Sequence, residues 1–174
     1  MKRNPLLSRL LLAGVLAAVL SCGDTTPVGP ELPAPEAGLL GDLLTRTGLI
    51  QCRPMPTYSA SEVIGPAGGS IRVGPHTLSI PPLALQERVR ITAEAPSGRV
   101  NVVHFEPEGL AFLRDASLTM SYANCGLLGV LLPKRIAHTD DLLGILGYLL
   151  SVDNFRLQTV TGRLEHFSGY AVAW

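Results

Sequence analysis

The stretch Arg88-Val89-Arg90-Ile91-Thr92-Ala93-Glu94 decides the fold. Aliphatic Val89, Ile91 and Ala93 alternate in it with charged or hydroxyl side chains. Successive side chains of a strand point to opposite faces, so this alternation describes a strand with one buried and one wet face. Outward from it the same pattern recurs in short pieces. Ile71 and Val73 alternate before Gly74-Pro75, and Leu78 and Ile80 before Pro81-Pro82. Val100 to Phe105, Ala116 to Tyr122, Phe155 to Val160 and Tyr170 to Trp174 continue the series. Short strands at intervals of about 8–12 residues, punctuated by glycine and proline, indicate a sandwich or barrel. Ser59 to Tyr122 holds no three-turn amphipathic helical pattern. The expected fold is all-β, an antiparallel β-sandwich over Ser59 to Trp174.

The chain has 174 residues, with 14 Lys+Arg against 14 Asp+Glu and 47% hydrophobic residues. That length accommodates one domain plus flanking segments. Zero net charge without a basic run argues against a nucleic-acid binder, which needs a cationic footprint. Charged residues make up 16%, so the chain is not a charge-rich disordered tail. Mean hydropathy is +0.30, and the N-terminus supplies part of it.

Lys2, Arg3 and Arg9 precede a run from Leu10 to Leu20 that has no polar side chain. As a helix the run rises about 16 Å, short of the ~30 Å hydrocarbon core. A cationic start and a short apolar run predict an export signal over residues 1–21. Val19-Leu20-Ser21-Cys22 resembles the lipobox of bacterial lipoproteins, although Leu20 is bulkier than the small residue usual there. The resemblance implies cleavage before Cys22 and its lipidation, with a further acyl chain on the new amino terminus. Several chains anchor where one does not, each buried CH₂ contributing about 0.8 kcal/mol. Cleavage would leave 11 basic against 14 acidic side chains, a formal −3.

Pro27, Pro30, Pro33 and Pro35 make the following stretch an extended spacer, because proline fixes φ and removes a donor. Residues 22–58 are thus expected to be a lipid-anchored linker. It contains one Leu/Gly-rich segment, Ala37 to Ile50, with Leu39, Leu40, Leu43 and Leu44 at helical spacing. Two more such segments follow, Gly126 to Leu132 and Leu142 to Leu150. Each either packs on the domain or forms an apolar contact with a membrane or partner.

Within the sandwich, two stretches resemble the opening of a ZU-five domain. They are Ile64-Gly65-Pro66-Ala67-Gly68-Gly69-Ser70-Ile71 and Leu78-Ser79-Ile80-Pro81-Pro82-Leu83-Ala84-Leu85. Phe105-Glu106-Pro107-Glu108-Gly109-Leu110-Ala111-Phe112, then Leu118 to Tyr122, is similar to its next signature. His166-Phe167-Ser168-Gly169-Tyr170-Ala171-Val172-Ala173 is similar to the last strand of bacterial members. The family's β-sandwich is shared by ankyrins, netrin receptors and zonula occludens proteins. Leu83 stands where the family usually carries glycine, which removes the residue that favours a left-handed turn. The apolar span from Gly126 to Leu150 fits the pattern poorly.

Apart from Cys22, the cysteines are Cys52 and Cys125. In an exported chain a single remaining pair reads as a disulfide, contributing roughly 4 kcal/mol by loop entropy. Two free thiols binding a metal are the alternative, but four scattered histidines and no Cys-x-x-Cys argue against zinc. No metal and no cofactor are expected.

One tripeptide carries a mechanistic reading. In some eukaryotic relatives His-Phe-Ser marks autoproteolysis between Phe and Ser. Carried over, Ser168 Oγ would attack the Phe167 carbonyl, His166 would move the proton, and water would cleave the resulting ester. Against this, Phe167 and Tyr170 also suit the core of a last strand, with Ser168-Gly169 as a bend. His76, His104 and His138 fall in separate contexts and read as structural. The acidic pairs Asp140-Asp141 and Glu106/Glu108 read as solvated turns, too sparse for calcium.

The expected function is therefore a non-enzymatic, lipid-anchored module of the cell envelope that binds a protein or envelope component. The alternatives are a self-cleaving domain and a lipoprotein whose Leu/Gly segments act on membrane.

Overall fold

The computed structural model describes residues 48–126 and 132–174. Cys22, the signal, the proline-rich spacer and most of the first two Leu/Gly-rich segments lie outside the described residues. Among the described residues there is no helix, and two antiparallel sheets form the expected β-sandwich.

The eleven strands are β1 Tyr58–Ile64, β2 Gly69–Val73, β3 His76–Ile80, β4 Val89–Ala95, β5 Val102–Glu106, β6 Ala111–Ser121, β7 Arg135–Thr139, β8 Ile145–Tyr148, β9 Ser151–Asn154, β10 Thr159–His166 and β11 Gly169–Ala173. The first sheet runs β1-β4-β5-β11-β7-β8 and the second β2-β3-β6-β10-β9. In β4, Ile91, Ala93 and Ala95 are buried while Arg90 and Glu94 are exposed, as the alternation requires. Between the sheets Ile71, Leu78, Leu118, Met120 and Leu164 meet Ile91, Phe105, Ile136 and Tyr170, all 0–2% exposed. That dry interior is the dominant favourable contribution to the fold.

The first sheet also buries part of its outer face. Val102, Ala137, Ala171 and Ala173 form a second cluster with Leu49, and Leu143 and Ile145 pack against it. Leu49 bridges Ala173, and Ile50 N donates to Val172 O at 3.1 Å, extending the ladder beside β11 past the end of β5. Packed structure therefore begins ahead of the Ser59 boundary suggested by the sequence. Cys52 and Cys125 form the expected disulfide, tying this N-terminal segment to the loop after β6.

Two quoted signatures meet in space. The turn from Gly65 to Gly68 closes with Gly68 N donating to Gly65 O at 2.9 Å, and Leu83 N donates to Pro66 O at 2.8 Å. Leu83 keeps a left-handed backbone, φ 64°, although it is not glycine. The hydrogen bond from Leu83 N helps hold this turn, at a local cost.

The span from Phe155 to Val160, read from sequence as one strand, is a turn followed by the start of β10. Gln158 adopts φ 52°, and Asn154 Oδ1 accepts from Leu157 N at 3.1 Å. An Asn side chain bonding ahead in this way stabilises a turn in place of a ladder. Conversely β1, β7, β8 and β9 are strands that the alternation did not single out.

Candidate functional site

The polypeptide crosses from the second sheet to the first at His166-Phe167-Ser168, between β10 and β11. A register shift between Leu164 and His166 bends the end of β10 and begins that crossing. Phe167 is fully buried, stacked on Phe105 at 5.1 Å between centroids and edge-on to Phe112 at 5.0 Å. Both backbone polar groups of Phe167 are taken up by the turn before β6. Its N–H donates to Leu110 O at 2.9 Å, and its carbonyl accepts from Gly109 N at 3.0 Å. Gly109 has φ 74°, a conformation suited to glycine.

Ser168 is half-buried, and its Oγ lies 2.8 Å from His138 Nε2. His138 belongs to β7, where it sits opposite Tyr170 of β11. Antiparallel pairing of these two central strands thus brings together residues thirty apart in sequence. The His166 ring packs edge-on against His138 at 5.3 Å, and the Tyr170 ring lies 5.6 Å from His138. Tyr170 Oη donates to the His166 carbonyl at 2.6 Å, which fixes the crossing segment. Sequence alone set His138 aside as an isolated histidine and gave the proton-transfer role to His166. The structure pairs Ser168 with His138, and His166 supplies a ring wall and a carbonyl. A histidine one strand away has no fixed spacing in sequence; the register of β7 on β11 creates the contact.

Burial, and secondarily the His166 ring, hold His138 below its ordinary pKa. The imidazole is therefore neutral at pH 7 and able to accept a proton. Burial, aided by Glu165, pushes the Tyr170 hydroxyl up to about 12, so it remains a donor.

Two clefts flank the crossing. One, about 560 Å³, is bounded by Arg90 and Thr92 of β4, His104 of β5, Glu106, Asp141 and Ser168. The other, about 330 Å³, is bounded by His138, His166, Tyr170, Asp115, Arg163 and Tyr148. His104 and the Glu106/Glu108 pair thus line the cleft beside Ser168. Asp140 is occupied as a turn residue, its Oδ1 accepting from Leu142 N at 2.9 Å and Gly144 N at 2.7 Å. No group of three or more His, Cys, Asp or Glu side chains converges as a metal site among the described residues.

A different feature lies beside the second cleft, at one edge of both sheets. The first sheet ends at β8 and the second at β9, consecutive strands joined by Leu149-Leu150. Leu146 is 62% exposed, Tyr148 47%, Leu150 72% and Val152 72%. Leu142, Phe155 and Leu157 in the adjoining turns are exposed as well. Leu142 to Leu150, the third Leu/Gly-rich segment, thus places only some of its apolar side chains in the core, Leu149 among them.

No protein-family model and no curated protein sequence matches the chain.

Proposed function

We propose that this is an exported, lipid-anchored protein of the cell envelope whose ZU-five-like β-sandwich binds a protein or envelope component without catalysis. One observation carries the reading: among the described residues both sheets end in strands with no further partner, β8 and β9, that bear exposed Leu146, Tyr148 and Val152. Soluble proteins guard such edges with shortness, charge, proline or bulges. β8 and β9 are short, four residues each, and β9 carries Asp153, but neither holds a lysine or proline and their exposed side chains are mainly apolar. An edge of this kind accepts an added strand through backbone hydrogen bonds and pockets for alternate side chains. The disulfide supports the exported part of the reading, since such bonds persist in oxidising compartments. Lipidation of Cys22 supplies the tether, through a linker long enough to hold the sandwich clear of headgroups.

Capture from envelope extract tests the edge. Wild-type protein should retain a partner that a folded Leu146→Asp/Val152→Asp variant loses; equal retention by both would sink the edge as the binding surface. Labelling with radioactive palmitate tests the anchor, with incorporation expected in wild type and absent from Cys22→Ala.

A second reading, self-cleavage between Phe167 and Ser168, is favoured by the 2.8 Å contact of Ser168 Oγ with a histidine. After cleavage β11 would stay seated between β5 and β7, where Gly169–Ala173 is wholly buried. Intact mass must therefore be measured on denatured protein. A chain that is undivided after long incubation would reject this reading.

A further inference from the structure

We infer that the end of the sandwich from which the N-terminal linker leaves is a contact surface for an anionic lipid headgroup layer. This surface is distinct from the edge formed by β8 and β9, and only its orientation in the cell rests on the anchored reading. Antiparallel pairing sends every connection except the Leu149-Leu150 bend to one of two ends. The linker end holds residues 48–57, the turn 74–75, the loop 96–101, residues 122–126 and 132–134, the turn 155–158 and Trp174. These connections carry Arg53, Arg99, Lys134 and Arg156 and, among the described residues, no Asp or Glu. Residues 127–131 add no charged side chain in sequence. The opposite end holds 65–68, 81–88, 107–110, 140–144 and 167–168, with Glu87, Glu108, Asp140 and Asp141 against Arg88. In the strand ends beside the linker, Arg72 and Arg135 balance Glu94 and Asp153. The Asp153 carboxylate is occupied internally, Oδ1 accepting from Tyr122 Oη at 2.7 Å and Oδ2 from Lys134 N at 2.9 Å. Charge is therefore sorted end to end, basic where the linker joins and acidic away from it.

Apolar side chains are interleaved with these cations. Arg53, Arg99 and Arg156 are exposed, and so are Leu132 and both neighbours of Arg156, Phe155 and Leu157. Lys134 is buried instead: its Nζ donates to Leu132 O and lies 5.5 Å from the centre of the Tyr122 ring, so it holds Leu132 in place. Tyr122 N donates to Gln158 O at 2.8 Å, which fixes the turn bearing Phe155, Arg156 and Leu157 to the same residue. Apolar side chains beside arginines suit a headgroup layer, where the former enter the acyl boundary and the latter meet phosphate. The tether agrees with this orientation. Residues 22–47 join the domain at Gly48, whose carbonyl accepts from Trp174 N at 3.2 Å. A linker able to hold the sandwich clear of the headgroups is equally able to let this end settle on them. The acidic end then points away from the anionic surface, which repels it.

The experiment uses residues 22–174, which contain every described element, with Cys22→Ala so that no acyl chain contributes. It follows flotation with vesicles of phosphatidylcholine alone, or of equal parts phosphatidylcholine and phosphatidylglycerol. The protein should float with the anionic vesicles, stay behind with the neutral ones and be released by high salt. Arg53→Gln/Arg156→Gln should lower the partition about 25-fold, at roughly fivefold for each cation near an anionic surface. Arg53→Lys/Arg156→Lys should keep it. Arg88→Gln/Arg114→Gln removes the same charge at the opposite end and should float like the parent. Phe155→Ser/Leu157→Ser should weaken flotation as well. Trp174, the one tryptophan of the chain, reports from the linker end without any change to the surface. Its emission should be quenched by brominated acyl chains in the anionic vesicles. No flotation with anionic vesicles, equal flotation with neutral ones, equal losses from the two Arg→Gln pairs, or an unquenched Trp174 each overturns the inference. Absence of palmitate from Cys22 would remove the tether and leave this surface standing.

Discussion

At the scale of single residues, the strongest commitments are made by groups that folding forces into unusual states. His76 is completely buried; its Nδ1 accepts from Ser121 N at 3.1 Å, while Nε2 has no partner among the described residues. Burial lowers its pKa from 6.5 to about 4. The unfolded chain therefore binds the proton more tightly, and the stability linked to neutral His76 is fully present above pH 6.5. It is lost as pH falls from 6.5 through 4, a total of about 3 kcal/mol. Urea titrations at pH 7, 5.5 and 4 should show this decline. His76→Gln, which keeps an acceptor for Ser121 N–H but does not titrate, should be weaker at pH 7 yet flatter across the same interval. Leu83 poses the opposite case, a side chain at φ 64° that is 62% exposed and gains little from packing. A left-handed backbone costs a non-glycine residue roughly 1–2 kcal/mol, part of which glycine returns through its unfolded-state entropy. Leu83→Gly should therefore raise the urea midpoint by an amount worth up to about 1 kcal/mol, and Leu83→Ala should not.

Elements explain both what the sequence made legible and what it hid. β2, β3, β4 and β6 each carry one buried and one solvated face, so letters and structure agree. β7 has Ile136 in the core and Ala137 in the outer cluster, both buried, which erases the period of two. β1 fails for the converse reason: most of its side chains are exposed at a sheet edge. Phe155 and Leu157 misled because they are apolar yet exposed, in a turn set by Asn154. The tripeptide was visible and its partner was not, since His138 reaches Ser168 through strand register. The turn between β1 and β2 makes a definite demand that the sequence did display. Gly68 has φ 76°, and a Cβ there would lie 2.6 Å from Ile80 O and 2.8 Å from Pro81 C. Backbone cannot yield as a flexible side chain can. Gly68→Ala should cost about 2 kcal/mol or more in urea unfolding, whereas Gly98→Ala, which meets nothing within 4 Å, should cost far less.

For the whole molecule, the disulfide decides how the N-terminal segment belongs to the sandwich. Leu49 and Ile50 are each 1% exposed, and Cys52 pairs with Cys125 across a sequence separation of 73. The closed loop contains β1 to β6, so in the unfolded chain it constrains the residues of three strands from each sheet. Beside it, Asn101 Nδ2 donates to Asn124 Oδ1 at 2.7 Å and Asn124 Nδ2 to Asn101 Oδ1 at 3.0 Å, a reciprocal pair that holds the same corner. Non-covalent contacts at that corner therefore outlast the bond, and reduction should weaken the fold without dispersing it. Chain entropy for a loop of this size gives about 4 kcal/mol. That is a large share of the 5–15 kcal/mol typical of a domain. Urea unfolding of oxidised and reduced protein should accordingly differ by several kcal/mol, and Cys52→Ala/Cys125→Ala should follow the reduced curve apart from the small cavity it leaves. Because an unfolded cross-linked chain exposes less surface, the reduced protein should also show the steeper dependence on urea. Equal midpoints would mean that the sandwich holds its N-terminal segment by packing alone. Thiol titration of unfolded, unreduced protein makes the link to export: neither Cys52 nor Cys125 should react, since a reducing cytosol would leave both free.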